Sequence, residues 1–396
     1  MTSKKKRLLF IPADVIRNEV SRSFYFAKGL SDHFDVYFLS RFDPQSAFFE
    51  NKKRSKLYTL QCFLKSVFSR FGVKKHQKWS YHVVTAPFMS HMVIYRFIGM
   101  VAALKLSRRF NKAVLTYINR KLKPDIIFYS EGFDLYPRLQ NVLCASDIQD
   151  DFDQGNFRSN SYNIAYLQRQ LAGSQVNFVV SQAAARKLGK MYNCEFVFIP
   201  NGAEVATMRA VEEYLVTKMV DEMGLKGKFL ISYIGADAWY DKNLCREVFR
   251  RLWERDSSIH FLMVGNLPLI QAENVTYTGP VSKESSYFYY RMSDMGILLK
   301  DSRGSNFLYN SIPLKIVQYG VVGRWFVSPP IAWLEENRFE NVILLEDFSP
   351  ENIVEKILEI KARGSNRCFD DRWNEYDWQR INDRMLEVLS SIGARE

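Results

Sequence analysis

Cysteine is scarce in this 396-residue chain, and the five present, Cys62, Cys144, Cys194, Cys245 and Cys368, are odd in number, widely spaced and never paired as C-x-x-C. That pattern excludes a disulfide framework and a cysteine-built metal site. The five histidines, His33, His76, His82, His91 and His260, show no H-x-x-H or H-E-x-x-H spacing, so the common catalytic-metal signature is missing too. Long apolar runs are also lacking. The stretch 92–106, MVIYRFIGMVAALKL, is interrupted by Arg96 and falls short of the roughly 20 residues that span a hydrocarbon core, so it reads as one buried or interfacial helix. The apolar stretch 8–12 is too short for a secretory signal, and a cytoplasmic protein is the expectation. No internal repeat or low-complexity tract is visible.

What is present is globular material: 47% hydrophobic and 25% charged residues, with 15% aromatics, enough to bury a real core. The length suits two domains better than one. A formal charge of +12 calls for an anionic partner, whether nucleic acid, a membrane leaflet or a phosphorylated substrate. Two basic clusters lie in the first third: Lys52, Lys53, Arg54, Lys56, Lys65, Arg70, Lys74, Lys75 and Lys78, then Lys105, Arg108, Arg109, Lys112, Arg120, Lys121 and Lys123. No RNA- or DNA-binding motif accompanies them, so nucleic acid is not an expected partner. Flanking the apolar stretch 92–106, they suit an anionic membrane surface, although a solvated face has the same composition.

The opening residues read as a buried strand, a loop, a helix over 21–30 and a second strand over 35–39, a β-α-β unit. Further strands are expected at 80–84, 125–129, 142–148 and 177–180. After the Asn201-Gly202 turn signal, 205–222 reads as a connecting helix. The rhythm then restarts, with strands at 229–234, 259–265, 275–279, 295–299 and 325–328 and helices between them. This alternation predicts an α/β chain of two Rossmann-like, doubly wound domains facing a central cleft. The domains are placed at 1–205 and 206–370, with a helical tail over 371–396 that packs back towards the first.

In open α/β sheets ligands bind beyond the carboxyl ends of the strands. The most informative segment for that reason is 310–324, NSIPLKIVQYGVVGR, which follows the strand at 295–299. Pro313 suits a first helical residue. A helix starting there offers free N–H groups and a positive dipole end, and Lys315 adds a charge suited to a diphosphate. Gln318 lies one turn further on, where an amide can reach ribose hydroxyls. Read locally, the same residues also fit an ordinary amphipathic helix.

The ordered series VVSQ (179–182), VFIPNG (197–202), ISYIG (231–235) with Asp241, Lys242 and Asn243, FLMVGN (261–266), NVTYTG (274–279) and PLKIVQY (313–319) with Gly323 resembles glycosyltransferases of the GT-B fold. Within that fold PLKIVQY is most similar to the bacterial exopolysaccharide enzymes typified by the xanthan glucuronosyltransferase. The resemblance implies a UDP-sugar donor and no further cofactor. It also implies a polyprenyl-diphosphate-linked acceptor and a peripheral position on the inner face of the cell membrane. It assigns the diphosphate to Lys315 and the ribose side to Gln318, and it sets Gly235, Lys242, Asn266, Asn310 and Leu314 around the nucleotide. The commoner retaining families carry paired glutamates where this chain has Asn310 and Gln318, which favours an inverting mechanism.

An inverting transfer needs a base for the acceptor hydroxyl. The cluster DIQDDFD (147–153) follows a strand, and Asp150, with Asp151 second, is the candidate. A hydrated, helix-capping acidic loop would look the same. Asp151 and Asp153 also spell D-x-D, but the twin Rossmann rhythm argues against the fold that uses it, and no metal is expected. Arg17, Asn18, Glu19 and Arg22 after the first strand, and Glu131 after the strand at 125–129, are acceptor-side candidates. A catalytically silent module that binds a sugar nucleotide or a partner enzyme is the alternative reading, prompted by the missing glutamates.

Overall fold

The computed structural model describes residues 5–12, 21–40, 56–130, 136–139, 141–149, 161–236, 239–302, 305–364 and 366–392. The chain divides into two compact units, Met1–Ile199 with Asn382–Glu396, and Pro200–Ile381. The expected boundary at 205 stands beside a division after Ile199. The expected tail is shared: a 3-10 helix, Asp371–Tyr376, belongs to the second unit, and the residues from Asn382 onward belong to the first. Asn382 lies against Gly29 there and donates from Nδ2 to the Tyr25 carbonyl at 3.3 Å.

The first unit is built on an eight-stranded sheet: β1 Arg7–Ile11, β2 Asp35–Ser40, β3 Gly72–Lys75, β4 His82–Thr85, β5 Ile126–Ser130, β6 Leu143–Ile148, β7 Val176–Val179 and β8 Val197–Phe198. Their order is β3-β4-β2-β1-β5-β6-β7-β8, parallel except for β3 against β4. Leu8, Leu9, Phe10 and Ile11 are all fully buried, as a parallel strand covered on both faces requires. Phe10 stacks on Phe38 at 5.5 Å and on Phe128 at 4.8 Å, tying β2, β1 and β5 together. The helix Arg22–Leu30 starts where Ser21 accepts a hydrogen bond from the Phe24 amide, a cap that stabilises it by about 1 kcal/mol.

Strand β3 was not expected from the sequence. Its residues GVKK carry no apolar alternation because it is an edge strand, and exposed lysines are how such edges resist pairing with other chains. The single helix expected over 92–106 is in fact two, His91–Ile98 and Met100–Leu122. Gly99 divides them with φ 76°, ψ 157°, a conformation no helix contains. Among the described residues no helix is long and apolar enough to cross a membrane.

The second unit is a six-stranded, wholly parallel sheet: β9 Phe229–Ile234, β10 Ile259–Val264, β11 Val275–Gly279, β12 Met295–Ile297, β13 Trp325–Ser328 and β14 Val342–Leu344, in the order β11-β10-β9-β12-β13-β14. The chain lays β10 and β11 on one side of β9, then returns to start β12 on the other. That reversal leaves a crevice at the carboxyl ends of β9 and β12, the switch point at which ligands of such sheets bind. The expected connecting helix at 205–222 is also two helices, Val205–Arg209 and Glu213–Glu222.

The Asn201-Gly202 pair turns out to serve packing as much as turning. A Cβ on Gly202 would meet Ile381 at 2.6 Å and the Tyr376 carbonyl at 2.8 Å, and Asn201 donates to the Ile312 carbonyl at 2.7 Å. The second contact fixes the segment that leads into Pro313.

Candidate functional site

The helix that leads into β13 spans Leu314–Val321, and Pro313 is its N-cap (φ −64°, ψ 124°) rather than its first helical residue, one position from the sequence expectation. A proline side chain cannot cap, so none accepts from the first turn. Tyr319 fixes the helix against the sheet. Its ring lies over Gly296 of β12, where a Cβ would approach it to 2.5 Å, and its hydroxyl donates to the Ser232 carbonyl of β9 at 2.9 Å. Gly320 rests on Trp373, at 2.2 Å from where a Cβ would stand. Trp373 is itself fully buried, stacked on Phe339 at 3.8 Å and hydrogen-bonded through its indole N–H to Asn341 at 2.8 Å. The helix is therefore held on two faces.

Lys315, one turn before Tyr319, consequently points at β9. It is 8% exposed, and its ammonium sits 3.6 Å from the centre of the Tyr233 ring. Among the described residues its Nζ has no hydrogen-bond partner. Burial alone pushes its pKa well below the ordinary lysine value. A desolvated cation on an aromatic face gains about 2 kcal/mol, but its three donors find no acceptor among the described residues, and an unpaired buried charge costs more than that. A hydrogen-bond acceptor is what this group lacks among the described residues.

Gly235 follows β9 at φ 139°, and a side chain there would stand 3.2 Å from the Lys315 Nζ. Gly265 follows β10 at φ 133°, where a Cβ would fall 2.0 Å from the Gly235 carbonyl oxygen. Only glycine fits that approach. The Tyr233 hydroxyl donates to the Ala236 carbonyl at 2.6 Å and so holds the loop after β9.

The other sequence candidates spread around this point. Gln318 is half-buried and its Oε1 accepts from the Tyr290 hydroxyl at 2.5 Å. Asn310 is buried just ahead of the helix and Leu314 is half-buried at its start. Lys242 is exposed as the first residue of the helix Lys242–Arg255, which Asp241 caps through the Asn243 and Leu244 amides. Asn266 is exposed just past β10. Tyr233, Tyr319 and Gly265 were missed by the sequence reading. They lie inside the motifs ISYIG, PLKIVQY and FLMVGN, but nothing in those motifs singled them out.

In the first unit, Arg22, an acceptor-side candidate, is the first residue of its helix and engages an interior carboxylate. It is 2% exposed, and its guanidinium grips Asp147 of β6 with Nε to Oδ2 at 3.0 Å and Nη2 to Oδ1 at 2.9 Å, while Nη2 also donates to the Ile199 carbonyl at 2.6 Å. Ser23, Ser130 and Gln149 extend the network, with Gln149 Nε2 at 2.7 Å from the Ser130 hydroxyl. Asp147, the first member of the acidic cluster, is thus an interior ion-pair partner. Asp150, Asp151, Arg17, Asn18, Glu19 and Glu131 lie outside the described residues.

Two Rossmann-like units, the second with a buried lysine at its switch point, define the class. Comparison with solved structures makes it specific, since the chain has the GT-B fold of glycosyltransferases. It is similar over 99% of its length, and 98% of the other chain, to an α,α-trehalose-phosphate synthase (UDP-forming) from Burkholderia vietnamiensis, with TM-score 0.66 and 10% identity. A glycosyltransferase from Rickettsia africae matches with TM-score 0.63 and 14% identity over 98% of both chains. Anabaena HepE, in complex with UDP-glucose, matches with TM-score 0.61 and 12% identity over 98% of this chain and 100% of that one. No protein-family model matches the sequence, and no curated relative was found.

Proposed function

We propose that this protein is a glycosyltransferase that draws its sugar from a UDP-activated donor held at the switch point of the second unit. The observation that carries the reading is the Lys315 ammonium, buried without a hydrogen-bond partner among the described residues and beside a helix N-terminus that no side chain caps. A diphosphate supplies the charge and the acceptors that this group lacks. The UDP-glucose complex of HepE and the UDP-forming trehalose-phosphate synthase share the fold and support the same donor class. In this reading Lys315 and the helix end hold the diphosphate, and Gln318, Asn310 and Leu314 face the ribose side. Gly235, Lys242 and Asn266 line the loops around it.

The reaction is of the inverting kind. The acceptor hydroxyl oxygen attacks the anomeric carbon, the bond from that carbon to the diphosphate oxygen breaks, and its electron pair leaves with UDP. A carboxylate takes the hydroxyl proton, and Asp150, with Asp151 beside it in the chain, is the proposed base. Lys315 and the helix dipole stabilise the leaving diphosphate, the role a divalent cation fills in metal-dependent transferases, so the proposed reaction needs no metal.

Following the sequence resemblance, the acceptor is a polyprenyl-diphosphate-linked oligosaccharide of a bacterial surface polysaccharide and the sugar is a hexose or glucuronic acid. Access to such a lipid calls for a peripheral position on the inner face of the membrane. Phe68 is 77% and Phe97 84% exposed, in the same region of sequence as the exposed Lys65, Arg70, Lys74, Lys75 and Lys105. Apolar side chains among cations suit an anionic leaflet.

A thermal-shift panel of nucleotide sugars on the full chain tests the donor, with UDP-sugars expected to raise the Tm most. Turnover with a membrane extract then tests the base: Asp150→Ala should abolish transfer and leave UDP binding intact. A panel without any UDP response would overturn the donor assignment, and surviving transfer in Asp150→Ala would overturn the base.

A further inference from the structure

The second unit carries another polar cavity, at the opposite end of its sheet from Lys315. It measures about 430 Å³, within the range of small-molecule pockets. Lys226 and Gly227 line it just before β9, Asp294 just before β12 and Arg324 just before β13, so its floor is the amino-terminal end of three neighbouring strands. Arg291 and Arg367 complete a cluster of three guanidinium groups.

These arginines are incompletely matched. Glu213 accepts from both Arg291 (3.0 Å) and Arg367 (2.5 Å) through the same oxygen, Oε2. Arg291 also donates to the Arg209 carbonyl at 2.7 Å, and Arg324 donates to the Arg291 carbonyl. Among the described residues, Nε of Arg291 and Nε of Arg324 are buried without a hydrogen-bond partner, in side chains of residues only 6% and 8% exposed. Asp294 is committed to the Leu230 amide at 2.7 Å. Burial, reinforced by the charge of Arg367, pushes the Arg324 pKa down to about 10. Arg324 lies among the like charges of Arg291 and Arg367 and the opposing carboxylates of Glu213 and Asp294, and Asp221 also lines the cavity. A buried guanidinium with an empty donor remains costly unless an acceptor completes it.

We propose that this cavity is a second anion site, distinct from the switch point, which binds a small molecule carrying a phosphate group. Guanidinium forks match the oxygen geometry of phosphate, and a dianion offsets clustered arginines better than a single carboxylate does. The cavity volume admits a phosphate with a small organic body. The proposal stands independently of the sugar donor at Lys315.

Calorimetry on the full chain tests it, with inorganic phosphate and glycerol phosphate as probes and Lys315→Met as a background that weakens phosphate binding at the switch point. One saturable site should persist in Lys315→Met. Arg367→Gln should weaken it about tenfold, as loss of one charge-assisted hydrogen bond does. Glu213→Gln should tighten it, because the competing carboxylate is gone; a purely structural cluster would give lower thermal stability and no gain in affinity. Arg367 is partly exposed, so its variant should fold, and the Tm verifies that. Absence of saturable binding, its loss in Lys315→Met, its indifference to Arg367→Gln, or tighter binding of acetate than of phosphate would each overturn the proposal.

Discussion

Replacing Lys315 by methionine should make the protein more stable and worse at binding UDP, two effects of opposite sign from one side chain. The methionine keeps the unbranched stem against Tyr233 and removes a buried ammonium that has no hydrogen-bond partner among the described residues. Swapping buried charge for well-packed apolar side chains stabilises by about 1–4 kcal/mol net, and the forfeited cation–π attraction of about 2 kcal/mol puts this variant at the low end of that range. A net gain of about 1 kcal/mol would raise the Tm by roughly 2–4 °C. Loss of the charge-assisted contact to a diphosphate should cost about 1.5–3 kcal/mol of binding, or roughly a 10- to 150-fold weaker Kd.

The effect depends on pH in a definite direction. Because the folded pKa of Lys315 lies below the unfolded value of 10.5, the unfolded chain holds the extra proton and the stability of the unliganded protein rises with pH. The rise spans the window from the depressed folded value up to about 10.5, and the advantage of the methionine variant shrinks across it. UDP binding reverses the shift, so the wild-type protein should take up a proton on binding in that window and Lys315→Met should not. Calorimetry in buffers of different ionisation enthalpy measures the proton, and scanning calorimetry measures the Tm. A variant that is less stable and binds UDP unchanged would falsify the assignment and make Lys315 a structural cation packed on Tyr233.

Asp147→Ala should destabilise the first unit by about 3–5 kcal/mol by stranding the buried Arg22 guanidinium, seen as a lower midpoint in urea denaturation, with UDP affinity unchanged. Gly320→Ala drives a methyl into Trp373, which is fully buried and cannot yield, and should cost about 1–3 kcal/mol while weakening UDP binding through the displaced helix. In flotation assays the full chain should rise with anionic vesicles at low salt and be released at high salt; equal recovery with neutral vesicles would remove the electrostatic part of membrane docking.

The fold was legible in the sequence wherever burial is two-sided. Strands such as β1, β9 and β10 run as predominantly apolar segments without alternation because both faces are buried, and their spacing gave the α/β alternation. Strand β3 was not legible, since an edge strand of GVKK carries no periodicity. The break at Gly99 was hidden because apolar sequence continues on both sides of it. Lys315 could be singled out from its place after Pro313, but its resting place on Tyr233 depends on the pairing of β9 with β12, which no local pattern encodes. The Arg22–Asp147 pair is likewise a product of topology: the sheet order β1-β5-β6 brings together residues 125 positions apart.

The clamping of the helix Leu314–Val321 between Ser232 on one face and Trp373 on the other bears on kinetics. A loop-borne lysine would have to be recruited by the nucleotide, at the cost of ordering side chain and backbone together. Here that order exists before any ligand arrives, so the encounter with the second unit should be a single step, with an observed association rate linear in nucleotide concentration and no slower isomerisation phase behind it. Loosening the clamp at either face would introduce such a phase, and the order of events, rather than the contacts made, would then distinguish the altered protein from the native one.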